Sequence, residues 1–350
     1  MTTFLTCKEG CEKILANEVT FYKGIVQKKG SGWILAEGAA LQDPCFAYTI
    51  LEDPLKISAV SINSLTEQLV NLFMAHLVPL RVVEPWAYLF SSSGTEQLAQ
   101  RTKTVEKSFL EKLLKKMSRV AKLAKWGFPQ NSKLTEGFFV HFIDFDQAFV
   151  SFKALSAGQQ RMQMDPQAPS RSYLKVEEAF HLFGSAPKEN ETVVDLGAAP
   201  GGWSYSALKN GATVTAIDNG PLKGPVVSNS RVKHLKADAF TYKHSSGKPA
   251  DWLLCDILEK PEVVLELIDK WLNQKWCRRF IVNLKLGRTD PIFLLKKIRD
   301  PKKGLLSYCR ILYVRQLYHN REEITLMGQV NESDSRKKPF IQLRQTKRPR

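Results

Sequence analysis

The 350-residue chain reads as two folded parts, an α+β region followed by an α/β region built on a doubly wound parallel sheet. Three observations predict this. Beyond a polar, pattern-poor stretch at 154–169 (ALSAGQQRMQMDPQAP) the sequence switches to regular strand–helix alternation. At 193–204 (VVDLGAAPGGWS) an apolar strand runs into a glycine-rich turn. Downstream, aspartates close three more strands in succession.

Composition sets the outer limits. With 43% hydrophobic and 25% charged residues, the chain can bury at least one large core. No apolar run reaches the length of a membrane span, and residues 1–10 lack the pattern of a signal peptide. The six cysteines are scattered, with Cys7 and Cys11 a lone CxxxC pair, so reduced thiols in a cytoplasm are expected and no metal site is. The net charge of +16 is uneven: 18 Lys+Arg face 15 Asp+Glu through residue 155, against 33 and 20 beyond it. Such an excess favours a polyanionic partner, nucleic acid above all.

The first half alternates short apolar runs with turn signals. Strands are expected at 4–6, 25–35 and 46–50, helices at 11–19 and 64–76, and an extended stretch at 80–89. The clearest helix is 104–126, where Val105, Phe109, Leu113, Met117, Val120 and Ala124 share one side. Its other side is basic: from 101 to 125 there are nine Lys and Arg against two acidic residues. Lys112, Lys115, Lys116 and Arg119 are candidate contacts to RNA phosphates, the alternative being a solvated face. Strands at 138–142 and 147–152 follow. The expected organisation is an N-terminal α+β subdomain at 1–60, an RNA-binding α+β domain at 61–155, a linker at 156–169, the α/β domain at 170–335 and a basic tail at 336–350.

In the second half, Ser172 is positioned to cap a helix carrying Lys175 and Glu178. The glycine turn at Gly197–Gly202 allows close approach of a ligand to the backbone, and it lacks the GxGxxG spacing of a dinucleotide site. Trp203 opens the next helix and either packs beside a ligand or anchors the helix to the sheet. Asp218 ends the second strand, where a carboxylate can accept from ribose hydroxyls; Asp238 ends a third and Asp256 a fourth. Residues 280–287 (FIVNLKLG) form a buried-type strand that nonetheless carries Lys285 between two leucines.

Lys175, Asp256, Lys285 and Glu322, in that order around a glycine turn, resemble the catalytic set of the FtsJ-type ribose 2′-O-methyltransferases. The segments APSRSYLKVEEAFHLF, VDLGAAPGGW, CDILEKP, NQKWCRRFIVNLKL and RQLYHNREEITL narrow the resemblance to the RlmM family of bacterial 23S rRNA (cytidine) 2′-O-ribose methyltransferases. The resemblance is strong over 168–326 and weak over 20–155. It implies a Rossmann-like S-adenosylmethionine-dependent methyltransferase sheet preceded by a THUMP-type RNA-binding domain. It further implies methylation of a cytidine ribose in the peptidyl-transferase region, on 23S rRNA or a large-subunit precursor, without a metal. Carried onto matching positions, the family pattern puts Ser172, Gly197, Ala199, Pro200, Gly201, Gly202, Trp203, Asp218, Asp238 and Asp256 at the cofactor, and makes Lys285 the proton acceptor. Of the adjacent pair Glu322 and Glu323, the alignment favours Glu322; in a strand only one of them can face the site.

A ribose hydroxyl is a poor nucleophile, so the enzyme must align it with an electrophilic methyl and manage one proton. Desolvation at the end of a buried strand, reinforced by Lys175, favours a neutral Lys285 able to act as base, while Asp256 and Glu322 oppose it. Two other classes fit parts of the pattern: the same chemistry on tRNA or an mRNA cap, and a non-catalytic RNA-binding assembly factor on the same fold. A nicotinamide oxidoreductase is disfavoured by the missing GxGxxG. These features do not set the oligomeric state.

Overall fold

The computed structural model describes residues 1–38, 43–77, 82–127 and 134–331, in two compact units that divide at Gly158/Gln159. The expected basic tail therefore lies outside the described residues, as do positions 80 and 81 of the expected extended stretch.

The first unit contains β1 (Thr2–Thr6), α1 (Glu12–Phe21), β2 (Ile25–Gly30), β3 (Trp33–Glu37), β4 (Thr49–Glu52), β5 (Leu55–Ser58), α2 (Ile62–Leu77), β6 (Trp86–Ser92), α3 (Glu96–Lys116), α4 (Ser118–Lys122), β7 (Ala124–Trp126), β8 (Thr135–Asp144) and β9 (Gln147–Ser156). One sheet joins them in the order β2-β3-β1-β4-β9-β8-β6-β7, with β5 also on β9. The sheet runs through the expected boundary at residue 60, because β4 and β5 both pair with β9. Phe73, Phe90, Phe109 and Phe138 interlock beneath it, the last two stacked at 5.0 Å. Aromatic pairs of this kind add to the gain from burial alone.

The basic helix differs from the expected 104–126. α3 starts at Glu96, capped by the Thr95 hydroxyl on the Leu98 N–H, and stops where Met117 leaves helical geometry (φ −144°, ψ 63°). Val120 falls on the short α4, and Ala124 lies in β7, which pairs with β6. The basic face is also partly spoken for. Lys112 donates to Asn63 (2.5 Å) and Glu67 (2.6 Å), and Lys116 lies 3.6 Å from Glu67. Among the four candidate RNA contacts, only Lys115 and Arg119 are exposed without such a bond to Glu67.

The second unit contains α5 (Tyr173–Phe183), β10 (Thr192–Leu196), α6 (Gly202–Lys209), β11 (Thr213–Ile217), β12 (Val232–Leu235), β13 (Ala250–Cys255), α7 (Pro261–Asn273), β14 (Cys277–Lys285), α8 (Pro291–Ile298), β15 (Cys309–Arg315) and β16 (Glu323–Val330). The strand order is β12-β11-β10-β13-β14-β16-β15, parallel from β12 to β14, with β16 antiparallel to both its neighbours. The strands are near-continuous apolar runs because helices cover both faces. Trp252, Leu254, Ile281 and Met327, all fully buried, form the middle of one such face. The chain order reverses between β10 and β13, which opens a crevice at their carboxyl ends.

The expected linker is not free. Gln160 and Met162 donate backbone N–H groups to Glu178 and His319, and Asp165 accepts from Tyr205 and Lys209. Glu178, fully buried, also accepts from the Tyr318 and His319 N–H groups at 2.8 and 3.0 Å. One carboxylate thus ties α5 to the turn that leads into β16.

Candidate active site

The crevice is floored by the turn between β10 and α6. Gly201 sits at φ +111°, a conformation that excludes side chains, and a Cβ on Gly202 would come within 2.5 Å of the Ser170 hydroxyl and 2.6 Å of that of Ser172. Asp218, one residue beyond β11, accepts from the Ala199 N–H at 2.9 Å and the Gly220 N–H at 2.7 Å, bracing the turn against the next loop. Ser170, Ser172, Gly197, Ala198, Ala199, Pro200, Trp203 and Asp256 line a cavity of about 210 Å³. A larger concavity near the end of α5, around Gly184, has neither a glycine turn nor a lysine–carboxylate cluster.

Several expectations are refined by the geometry. Trp203 is buried and its indole N–H donates to the Ser172 carbonyl, so it anchors α6 to the start of α5 while one edge meets the cavity. Ser172 stands at the start of α5, but its hydroxyl bonds Ser170 at 2.7 Å instead of capping the helix. Asp238 does not end a strand: β12 stops at Leu235, and the exposed Asp238 carboxylate accepts from the Phe240 N–H in the following turn.

Beside the cavity, four charged side chains meet. Lys285 Nζ lies 2.5 Å from Asp256 Oδ1 and 3.4 Å from Glu323 Oε1; Lys175 Nζ lies 2.6 Å from Glu323 Oε2 and 3.7 Å from Asp256 Oδ2. Each ammonium sits between the two carboxylates, and all four side chains are at least four-fifths buried. They come from the start of α5, the residue after β13, the end of β14 and the start of β16.

The acid in this cluster is Glu323, which corrects the expectation of Glu322. Antiparallel pairing puts Glu323 directly across from Lys285, whereas Glu322 precedes the strand, is exposed, and offers its backbone carbonyl to Leu286. Which of two neighbouring glutamates faces the site is decided by strand register, which the local sequence does not contain.

The geometry decides the charge state of Lys285, on which the sequence sets burial and Lys175 against the carboxylates. Burial pushes its pKa down, but Asp256, and after it Glu323, outweigh burial and hold it above the ordinary lysine value. It is an ammonium in this arrangement. Glu323 is the complement: burial would raise its pKa, yet the hydrogen bonds from Lys175 and Asn283 and the charges of both lysines hold it at about 2. Asp195, deep at the end of β10, behaves oppositely. Burial raises its carboxyl to about 7, with the Ser204 hydroxyl at 2.6 Å resisting and the charges of Asp256 and Asp218 contributing. Its other oxygen has no hydrogen-bond partner among the described residues.

A glycine floor, serine hydroxyls and carboxylates around a small cavity at a topological switch point suit a nucleoside ligand that also carries positive charge. Among the described residues no cluster of His, Cys, Asp and Glu is arranged to hold a metal ion, and no helix is long and apolar enough to cross a membrane.

Residues 168–311 match the family model of the FtsJ-like methyltransferases. The ribosomal RNA large subunit methyltransferase M of Pseudomonas putida (strain W619) is 31% identical over 355 residues, covering 93% of this chain and 96% of its own. The protein of the same name from Halorhodospira halophila is 39% identical over 183 residues, 51% of this chain and 52% of its own. That from Pseudomonas syringae pv. syringae is 42% identical over 177 residues, 48% and 49% of the two chains.

Proposed function

The chain belongs to the ribosomal RNA large subunit methyltransferase M family, S-adenosylmethionine-dependent enzymes that methylate large-subunit rRNA, and from that premise we propose 2′-O-methylation of a cytidine ribose in the peptidyl-transferase region. The substrate in this reading is 23S rRNA or a large-subunit precursor. The observation that carries the ribose chemistry is the alternating Lys175–Glu323–Lys285–Asp256 cluster beside the glycine-floored cavity.

Bound S-adenosylmethionine supplies an electrophilic methyl group on a sulfonium. Ser172, the Gly197–Gly202 turn, Trp203, Asp218 and Asp256 hold it in this reading, with Asp238 reaching in from the neighbouring turn. Lys285 Nζ receives the ribose hydroxyl proton. The ammonium that forms lies between Asp256 Oδ1 and Glu323 Oε1, which are already in place to stabilise it. Lys175 holds Glu323 and Asp256 from the other side, so the carboxylates are not free to rotate away. Because Lys285 rests protonated, the base acts from its neutral fraction. Releasing the proton from even an ordinary lysine at pH 7 costs about 5 kcal/mol. The rate should therefore rise with pH across the neutral range.

A methyl-transfer assay on unmodified 23S rRNA, with mapping of the modified nucleotide, tests the reading. Wild type should label one peptidyl-transferase cytidine at the 2′-oxygen with log kcat rising between pH 6 and 9, and Lys285→Ala should abolish turnover while retaining cofactor binding. Label confined to tRNA, or a Lys285→Ala variant with normal turnover, would overturn it.

A further inference from the structure

The two carboxylates of the cluster share a third partner that carries no charge. Asn283 lies two residues before Lys285 on β14, on the same face of the strand, and is fully buried. Its amide nitrogen lies 2.8 Å from Asp256 Oδ1 and 2.6 Å from Glu323 Oε2, so its two N–H groups are divided between the two acids. Its carbonyl oxygen accepts from Asn320 Nδ2 at 3.0 Å, and the Thr325 hydroxyl lies 3.2 Å away. Turning the amide over would aim its oxygen at two carboxylates, so the network itself dictates the orientation.

A second ring of contacts holds the first. Asn320, also fully buried, sends its amide N–H groups to Asn283 and, at 3.2 Å, to Glu323. Its oxygen accepts from the Leu317 N–H at 2.6 Å and lies 3.1 Å from the Thr325 hydroxyl. No side-chain atom of Asn283, Asn320 or Thr325 is buried without a partner. Three neutral polar side chains in an otherwise apolar layer are expensive unless every bond is made. A leucine at 283 alone would leave the Asn320 amide and both carboxylates short of a partner, so the polar set stands or falls together.

We propose that Asn283 is a positioning residue for the reaction, its amide clamping the Asp256 and Glu323 carboxylates at the separation that receives the Lys285 and Lys175 ammonium groups. The proposal rests on the reading of Lys285 as proton acceptor. The charged groups that face Lys285 are Asp256 after β13, Glu323 on β16 and Lys175 on α5, and behind them Asp195 on β10 feels the charge of Asp256. Asn283 bonds both carboxylates in this set, and so governs how tightly the proton on Lys285 is held. A carboxyl in its place has one donor at most when protonated and none when ionised, when it also adds a third negative charge beside Lys285.

The experiment compares kcat against pH for wild type, Asn283→Asp and Lys285→Ala, with rRNA KM and S-adenosylhomocysteine affinity measured alongside. Asn283→Asp should lose a further tenfold or more in kcat, relative to wild type, between pH 6 and pH 8.5, with KM and affinity within about threefold. Over that interval the introduced carboxyl, buried beside two others, ionises and adds its charge next to Lys285. A merely structural role would lower kcat by one factor throughout and leave the two curves parallel. Parallel or coincident curves, with Lys285→Ala inactive, overturn the role of Asn283 alone; an active Lys285→Ala overturns the base assignment and this proposal with it. Thr325→Val, nearly isosteric, serves if Asn283→Asp does not fold. It removes one donor behind the amide and should lower kcat three- to tenfold at unchanged KM; an unchanged kcat would overturn the proposal.

Discussion

Replacing Glu323 by Gln removes one corner of the charge cluster, and the structure sets the size of the effect. The Glu323 carboxyl is held at about 2 against an ordinary 4.5. That difference corresponds to roughly 3 kcal/mol of stability. The side chain is 13% exposed, so solvent screening discounts it little. Because the folded pKa is depressed, this stability is fully present above pH 4.5 and is lost as pH falls toward 2. The variant also leaves Lys175 with Asp256 alone at 3.7 Å. For a unit of this size, about 3 kcal/mol lowers the midpoint of thermal unfolding by about 6–12 °C. Calorimetry on the full chain should show this drop at pH 7 in the transition that contains the second unit, and a smaller one at pH 4. Methyl transfer at pH 7 should fall by about a hundredfold, because Lys175 and Lys285 lose one of the two carboxylates that hold them in place, and this misplacement outweighs the larger neutral fraction of Lys285. Glu322→Gln, at an exposed position, should change midpoint and turnover little. Equal losses for the two variants, or a deficit for Glu323→Gln that does not shrink with acid, would refute the assignment.

Neutralising Lys115 and Arg119 together should weaken rRNA binding and reduce the slope of log affinity against log salt by about 1.4–1.8. Neutralising Lys112 and Lys116 should instead destabilise the α2–α3 pairing through Glu67; binding across a salt series, with melting curves, separates the two. Asp195, whose carboxyl is raised to about 7, costs stability as pH climbs from about 4 through 7, because the unfolded chain ionises it first. Asp195→Asn should therefore gain in melting midpoint relative to wild type over that interval, and a constant difference would show that the carboxyl does not titrate there.

The parts of the site legible in the sequence are those that local chemistry dictates. The β10 strand and its glycine turn announce themselves because an apolar run followed by Gly197 and Gly201–Gly202 has few other uses. Lys285 stands out as a charge in an apolar strand. Glu323 does not stand out from Glu322, because the choice depends on how β16 registers against β14. Asn283 carries a weaker signal of the same kind as Lys285: a polar residue at period two from it in a buried run. The charge state of Lys285 needed distances, since burial and two carboxylates act in opposite directions. In the first unit, the helical spacing continues past Met117 in the sequence, but pairing of β7 with β6 takes Ala124–Trp126 into the sheet. Its true start, at Glu96, is hidden because Thr102 and a largely polar turn occupy the buried face there.

The register of β14 on β16 governs the chemistry as well as the packing. Along this ladder Phe280 faces Gly328 and Lys285 faces Glu323. A Cβ on Gly328 would come within 2.2 Å of the Phe280 ring, which is fully buried and has no space to yield. Overpacking of this kind costs about 1–3 kcal/mol. The cheapest relief is a displacement of β16 along or away from β14. Such a displacement carries Glu323 with it, although the substitution lies five residues from the acid and touches no charged group. Gly328→Ala should thus lower kcat at temperatures where the second unit remains fully folded, and do so without raising the KM for rRNA. An activity loss that merely follows the unfolded fraction would show that the strain is absorbed at Phe280 and that the ladder does not transmit it.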